Sequence, residues 1–404
     1  RADITTGMGV FNNKRGNLKL TYSEKENIDF NIAQSGSRSY VVYADGKEPE
    51  GKVVSKLVLS EPINYELYDV SMWESKNLTA RRSEIFQDKI VSSMEISDGK
   101  IRIIINNTTK YDFMDAFITI GSNFIDAGDI LSGEEKVIEA DLNSENVYKS
   151  FDAYLDAKYG RASYTSNIKP PADFKEKRRK RLAVERLLEP QYTNIRGKTK
   201  IGLYALNYQD LGFDIKINGE QPVTYFTNGI FSSMDLNFEK GQEFDIPAGI
   251  ILPEMLEYAL EQDIASYDGD NGVRIRNPGD IDFTYTIPEN LQITEFSVKF
   301  DTYIPLYVKY TIEDMQASGR NVQLKVLQNK YEYYLYNRTS DSWEQIEDTH
   351  TQTGNIDQYI DEENRLTVRV KVVEMADTKS GSPNDYTELE RLSYPALQLK
   401  GVAR

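Results

Sequence analysis

The stretch YEYYLYNRTSDSWEQIEDTHTQTGNIDQYIDEENRLTVRVKVV, Tyr331–Val373, decides the fold. Tyr331, Tyr333 and Leu335 alternate with Glu332, Tyr334 and Tyr336, so one face enters a core and the other carries aromatic rings toward water. Asn337–Ser342 (NRTSDS) has turn composition, and Trp343 follows it. After a short segment around Ile356–Ile360, Leu366, Val368, Val370 and Val372 alternate with Thr367, Arg369, Lys371 and Val373. That pattern predicts a half-buried strand of good β propensity.

Working outward, residues 1–145 read as strands separated by turns. Leu18, Leu20 and Tyr22 alternate, as do Ile28, Phe30 and Ile32, and Tyr40–Ala44 follows. Asp45-Gly46 and Asp98-Gly99 are hairpin signals. The SGEE turn before Val137 and Ile138 resembles a loop of an immunoglobulin-like or fibronectin-like sandwich.

Residues 146–192 change character. Val147, Phe151, Tyr154 and Leu155 stand at helical spacing with Gly160 as a stop. A second helix, FKEKRRKRLAVERLLE, is capped by Asp173 and ends before Pro190. Strands return in 193–255, with Asn218-Gly219 as a hairpin turn. Residues 256–404 begin with a short helix, PEMLEYALEQDIA. A long β region follows, including TEFSVKFDTYIPLYVKYTI and VQLKVL, and closes on ALQLKGVAR.

The expected class is therefore mainly β. Antiparallel sandwiches at 1–145 (immunoglobulin-like) and, as a resemblance to galactose-binding-like jelly rolls implies, at 256–404 are joined by a helical connector at 146–192, with a small β region at 193–255. The chain's 404 residues allow several domains and a sizeable core.

Composition excludes several chemistries. The chain has no cysteine, which removes disulfide scaffolds, thiolate nucleophiles and cysteine-ligated zinc. A single histidine, His350 in EDTHTQT, rules out multi-histidine zinc sites and leaves any Ser-His-Asp triad one possible base. No dinucleotide or P-loop glycine motif occurs. A net charge of −16 disfavours nucleic acid and anionic membranes as partners. No apolar run is long enough to span a bilayer. The start at Arg1 without Met is expected of a trimmed or mature form, with any anchor outside the sequence.

Four residues are the ligand-binding candidates: Tyr334, Tyr336, Arg338 and Trp343. A flat ring can stack on a sugar face while its polar tip hydrogen-bonds. The plainer reading has Trp343 filling the core and the tyrosines forming ordinary cross-strand pairs. The candidate metal residues are Asp268, Asp270 and Asn271 in YDGDNG. Their closely spaced oxygens suit Ca2+, with Asp280 and Asp282 near enough to complete a site. No other cofactor is expected, and no catalytic residue is assigned. A glycosidase pair would need two acids about 5–9 Å apart in a cleft, which sequence cannot pair. The basic run Lys175–Arg181 is read as a partner contact or, more simply, a solvated helix face.

The order of the YNRTSDSW turn, the IDQYI segment, the LTVRVKV strand and the closing ALQLKG strand resembles C-terminal jelly-roll regions of bacterial cell-surface proteins. With RLAVERLLEPQY and KIGLYALNYQDLGFDIKINGE before it, the chain resembles ectodomains of uncharacterised Gram-positive membrane proteins. That resemblance implies an extracytoplasmic, cell-surface location. The expected function is a non-enzymatic binding or scaffold module contacting an envelope polysaccharide or a partner protein. The alternatives are a carboxylate-dependent glycoside hydrolase and a structural subunit of a phage or surface assembly.

Overall fold

A computed structural model describes residues 2–11, 15–22, 29–30, 55–58, 63–72, 75–84, 90–97, 99–142, 144, 147–164, 168–188, 201–209, 215–220, 227–234, 238–268, 272–376 and 385–404. Among these the chain is mainly β, built from several antiparallel sheets. A parallel pairing joins Gln323–Leu327 to Asp385–Leu389. The α-helices among the described residues are α1 (Phe151–Tyr159), α2 (Phe174–Leu187), α3 (Tyr258–Glu261) and α4 (Leu306–Ala317). No helix among the described residues is long and apolar enough to cross a membrane, which says nothing about strands.

The N-terminal half is organised around an eight-stranded sheet. Its centre is Ile201–Asn207, flanked by Phe113–Ile120 and Thr227–Met234. All seven residues of Ile201–Asn207 are buried, because both faces of the sheet are covered. Ile201, Leu203 and Ala205 enter a core shared with Ile101, Ile103, Ile105 and Ile138 of a three-stranded sheet. Tyr204 and Leu206 point the other way, into a cluster with residues of α1 and α2.

The helices therefore form a third layer. The segment expected as a connector is packed on the sheet, and the 193–255 segment expected as a small region apart supplies central strands of that sheet. The physical reason is the run of aromatic residues on the outer face, which would be wet without a cover. Phe117 stacks on Tyr204 with centroids 5.0 Å apart and lies 4.8 Å from Tyr154 of α1. Ser150 caps α1 by accepting a hydrogen bond from the Ala153 N–H at 3.1 Å, and Gly160 ends it with φ 77°. Asp173 precedes α2 but spends its carboxylate on Lys177, 2.9 Å away, instead of on the helix N–H groups. Gly229 is what lets α2 approach: a Cβ there would stand 2.8 Å from Leu187 Cβ.

In the C-terminal half two sheets stack. One contains Glu243–Ile246, Ala396–Ala403, Leu291–Lys299 and Thr349–Thr353. The other is five-stranded: Glu254–Met255, Gly279–Thr286, Arg365–Glu374, Lys330–Asn337 and Ser342–Ile346. Phe296, Val298, Leu397 and Leu399 of the first meet Ile281, Phe283, Leu335, Val368 and Val370 of the second in one buried core. YIPLYVKYTI, expected within a strand, is mostly α4, which follows Pro305. His350, expected in a loop, lies in the edge strand Thr349–Thr353 opposite Val298, with Nε2 buried and without a hydrogen-bond partner among the described residues.

Among the described residues the halves share a buried core, with Glu243–Ile246 beside Val91–Ser97, and two polar contacts also join them. The Ser122 N–H donates to the Gly249 carbonyl at 2.8 Å, beside Gly121 at φ 58°, where a Cβ would collide with the 249–250 backbone. At the second contact, Tyr310 of α4 donates to Asp156 of α1. Arg161 pairs with Glu313 and Asp314, and its guanidinium lies 4.0 Å from the Tyr310 ring centre.

Candidate ligand-binding face

Sheet register assembles the site. In Lys330–Asn337 the inward residues are Tyr331, Tyr333 and Leu335, so Glu332, Tyr334 and Tyr336 stand on the outer face. The next turn is held by Asn337, whose Oδ1 accepts from the N–H groups of Thr339 at 3.0 Å and Ser340 at 3.2 Å. Asp341 adopts φ 51° there, and the chain returns with Trp343 directly opposite Tyr336. The two rings are 5.2 Å apart at 56°. Trp343 is thus half-buried on the outer face and is not part of the core.

On the other side of Lys330–Asn337, Arg369 stands opposite Tyr334 and Lys371 opposite Glu332. One strand further, Asp282 stands opposite Arg369. Arg369 is the hub of the face. Nε and Nη2 donate to the two oxygens of Asp282 at 2.7 and 2.9 Å, and Nη1 donates to Asp280 at 2.9 Å. The flat of the guanidinium covers Trp343 at 4.0 Å from the ring centre. This uses both properties of the group: donors in its plane for carboxylates and a weakly hydrated face for an aromatic ring. The hydrogen bonding of Arg369 to the Asp282 carboxylate is the main reason the Arg369 pKa is raised further above its ordinary value.

Beside Arg369 lies a cleft of about 550 Å3. Tyr258, Gln262 and Ile264 line it from α3 and the turn after it; Asn277, Gly279 and Asp280 line it from the chain entering the sheet. Burial, with the Asp282 carboxylate next, pushes the Tyr258 hydroxyl well above its usual pKa. Tyr334 and Tyr336 donate to Glu332 and Asp341, which raises their pKa values too.

Of the four residues expected to bind ligand, three share this face: Tyr334, Tyr336 and Trp343. Arg338 leaves it, reaching from the turn to the Ile360 carbonyl at 3.0 Å and Glu362 at 3.1 Å. Arg369, Asp282 and Tyr258 join the face unannounced. The alternation of Thr367, Arg369 and Lys371 marked the right side of the strand, but the pairing across strands is not in the local pattern.

The calcium expectation fares differently. Asp268 accepts from the Tyr303 hydroxyl at 3.0 Å and pairs with Arg391 at 3.3 Å, while Asp270 and Asn271 lie outside the described residues. Asp280 and Asp282 both pair with the Arg369 guanidinium. Among the described residues no group of three or more acidic or histidine side chains is placed to hold a metal ion. The basic run is mostly a solvated face of α2 with internal pairs: Lys177 to Asp173, Lys180 to Asp115, and buried Arg181 to Asp156 and Glu185.

Fold and face together define a mainly-β protein whose second half presents an uncovered aromatic and ionic sheet surface. Residues 89–237 match one sequence family, described as a domain of unknown function (DUF8725), and residues 245–401 match a second domain of unknown function (DUF8815). The break between them falls between the strands Thr227–Met234 and Glu243–Ile246, where the chain passes from the helix-covered sheet to the stacked pair. No curated protein matches the chain. Among solved structures, the atomic structure of Sulfolobus turreted icosahedral virus contains a chain 8% identical, with a TM-score of 0.15, over 99% of this chain and 78% of that one. That likeness is too small to bear on fold or function.

Proposed function

We propose that this protein is a non-enzymatic, extracytoplasmic binding module of the bacterial cell surface that holds a neutral polysaccharide on the outer face of the five-stranded sheet. In this reading the N-terminal sandwich is immunoglobulin-like and the C-terminal one a jelly roll. The observation that carries it is the placement of Tyr334, Tyr336 and Trp343 on an uncovered sheet face beside a polar cleft. Half-buried aromatic rings with hydrogen-bonded tips are suited to hydroxylated rings. The net charge of −16 opposes anionic polymers. Asp280, which lines the cleft, and Asp282 are both held in ion pairs with Arg369.

The test is a glycan array with the intact chain, followed by titration of the polysaccharide retained. Trp343→Ala and Tyr336→Ala together are expected to weaken binding at least tenfold, with no release of reducing ends by the native protein. Hydrolysis of the bound glycan, or affinity indifferent to both changes, would overturn the proposal.

A further inference from the structure

Resting on that reading, we infer that the cleft beside Arg369 is an end-subsite: it takes one neutral sugar unit at the tip of a glycan whose following units run over Tyr334, Tyr336 and Trp343. Three observations carry this. First, the cleft and the aromatic strip share a wall, since Arg369 both lines the cleft and covers Trp343 at 4.0 Å. A ligand leaving the cleft past Arg369 therefore meets the aromatic rings next.

Second, the cleft is bounded where its two lining segments meet. Asn277 Nδ2 donates to the Asp263 carbonyl at 2.7 Å, and the Arg276 N–H donates to the Ile264 carbonyl at 2.8 Å, which ties the turn after α3 to the chain entering the strand Gly279–Thr286. Its volume of about 550 Å3 lies in the range of small-ligand sites, roughly 300–1,000 Å3. That is room for one sugar unit with water.

Third, the chemistry is that of hydroxyl recognition. Gln262 offers a donor and an acceptor. Asp280 engages Arg369 through Oδ2, and its second carboxylate oxygen is an acceptor of the kind that adjacent hydroxyls donate to. Arg369 is saturated by two carboxylates, so the local charge is one negative unit in excess. A uronate or phosphate is repelled at that point, whereas a neutral ring with vicinal hydroxyls is not.

The probes are neutral linear hexasaccharides of glucose, galactose and mannose, each with a free or a fully O-methylated non-reducing terminal ring, together with an oligogalacturonate. Wild-type chain is expected to bind at least one free-ended hexasaccharide about tenfold more tightly than its end-methylated form, and to ignore the uronate. Saturation transfer by NMR is expected to be strongest on the terminal ring. Gln262→Ala, at an exposed position outside the Arg369 ion pairs, is expected to erase most of that end preference, with an unchanged melting temperature reporting an intact fold. Equal affinity for free and methylated ends, or an end preference untouched by Gln262→Ala, overturns the end-subsite while leaving the polysaccharide reading in place, provided Trp343→Ala still loses binding. Preference for the uronate overturns the assigned ligand class. No binding to any hexasaccharide or array glycan overturns both.

Discussion

Two sheets in this molecule carry aromatic residues on their outward faces, and the residues meet opposite fates. In the N-terminal half, Phe117, Phe124 and Tyr204 lie under α1 and α2 and are at most 1% exposed. In the C-terminal half, Tyr334, Tyr336 and Trp343 have no helix packed on them among the described residues and are half-buried. The covered rings pack on one another, as in the 5.0 Å Phe117–Tyr204 stack. The uncovered rings answer to water: each tyrosine hydroxyl finds a carboxylate, and Trp343 is covered on one side by a guanidinium. An aromatic residue at an outward strand position is thus neither core nor site by itself. What decides is whether the chain supplies a second layer.

The largest expected effect tests that contrast directly. Phe117→Ala removes a fully buried ring and should cost about 3–5 kcal/mol, as large-to-small core changes do. Trp343→Ala, on the open face, should cost no more than about 1.5 kcal/mol while weakening the proposed binding. Guanidinium unfolding of the two variants measures both. Equal losses would erase the distinction between the faces.

Next comes the ion pair that anchors the open face. Asp282 is 5% exposed and is held by two hydrogen bonds from Arg369. Asp282→Ala strands a guanidinium that keeps only Asp280, and should cost about 2 kcal/mol, below the 3–5 of a fully buried broken pair because Arg369 is partly exposed. Asp280→Ala, at a more exposed carboxylate, should cost less than half as much. The same unfolding assay ranks them, and a reversed order would remove Asp282 as the anchor.

Much of this comparison was legible before any coordinates, and the illegible part has a physical reason. The periodicities of Lys330–Asn337 and Arg365–Glu374 correctly give their inward and outward sides. Asn218-Gly219 makes the expected tight turn, with both residues at positive φ, 51° and 84°. The helices with their stops at Gly160 and before Pro190 are also where the pattern puts them. That they cover a sheet is not written locally, because a helix's own pattern marks its apolar side without saying which strand face that side meets. The same holds for Arg369 and Asp282, 87 residues apart. α4 escaped for another reason: its Tyr, Val, Thr and Ile residues favour strands, and it lacks a buried stripe, with Val308 buried while its next turns are only half-buried.

The contact between the halves should respond more weakly. Tyr310→Phe removes the hydrogen bond to Asp156 and should cost about 1 kcal/mol. If the two halves melt as separate calorimetric transitions, the change should move them further apart; if they melt as one, it should lower that midpoint. A Tyr310→Phe protein with an unaltered calorimetric trace would mean that α4 rests on α1 without holding it.

The smallest expected effect concerns pH, and it separates the open face from its rim. Asp361 lies in the loop that Arg338 reaches, and its partial burial raises its pKa. Backbone and side-chain hydrogen bonds from Arg365, with the Glu363 N–H, more than reverse this and hold it below the ordinary carboxylate value. A depressed folded pKa means that the proton binds the unfolded chain more readily. Its contribution to stability is therefore complete above the unfolded value near 3.9 and is lost as pH falls through the lower folded value. The Asp361 side chain is 34% exposed, so solvent screening should keep the contribution under about 1 kcal/mol. Asp361→Asn should accordingly flatten the stability curve below about pH 4 while leaving glycan binding at neutral pH unchanged, since neither Asp361 nor Arg338 stands on the aromatic face. Were this variant to weaken binding as much as Trp343→Ala does, the ligand surface would have to extend around the turn to Arg338, and the boundary drawn between face and rim would fall.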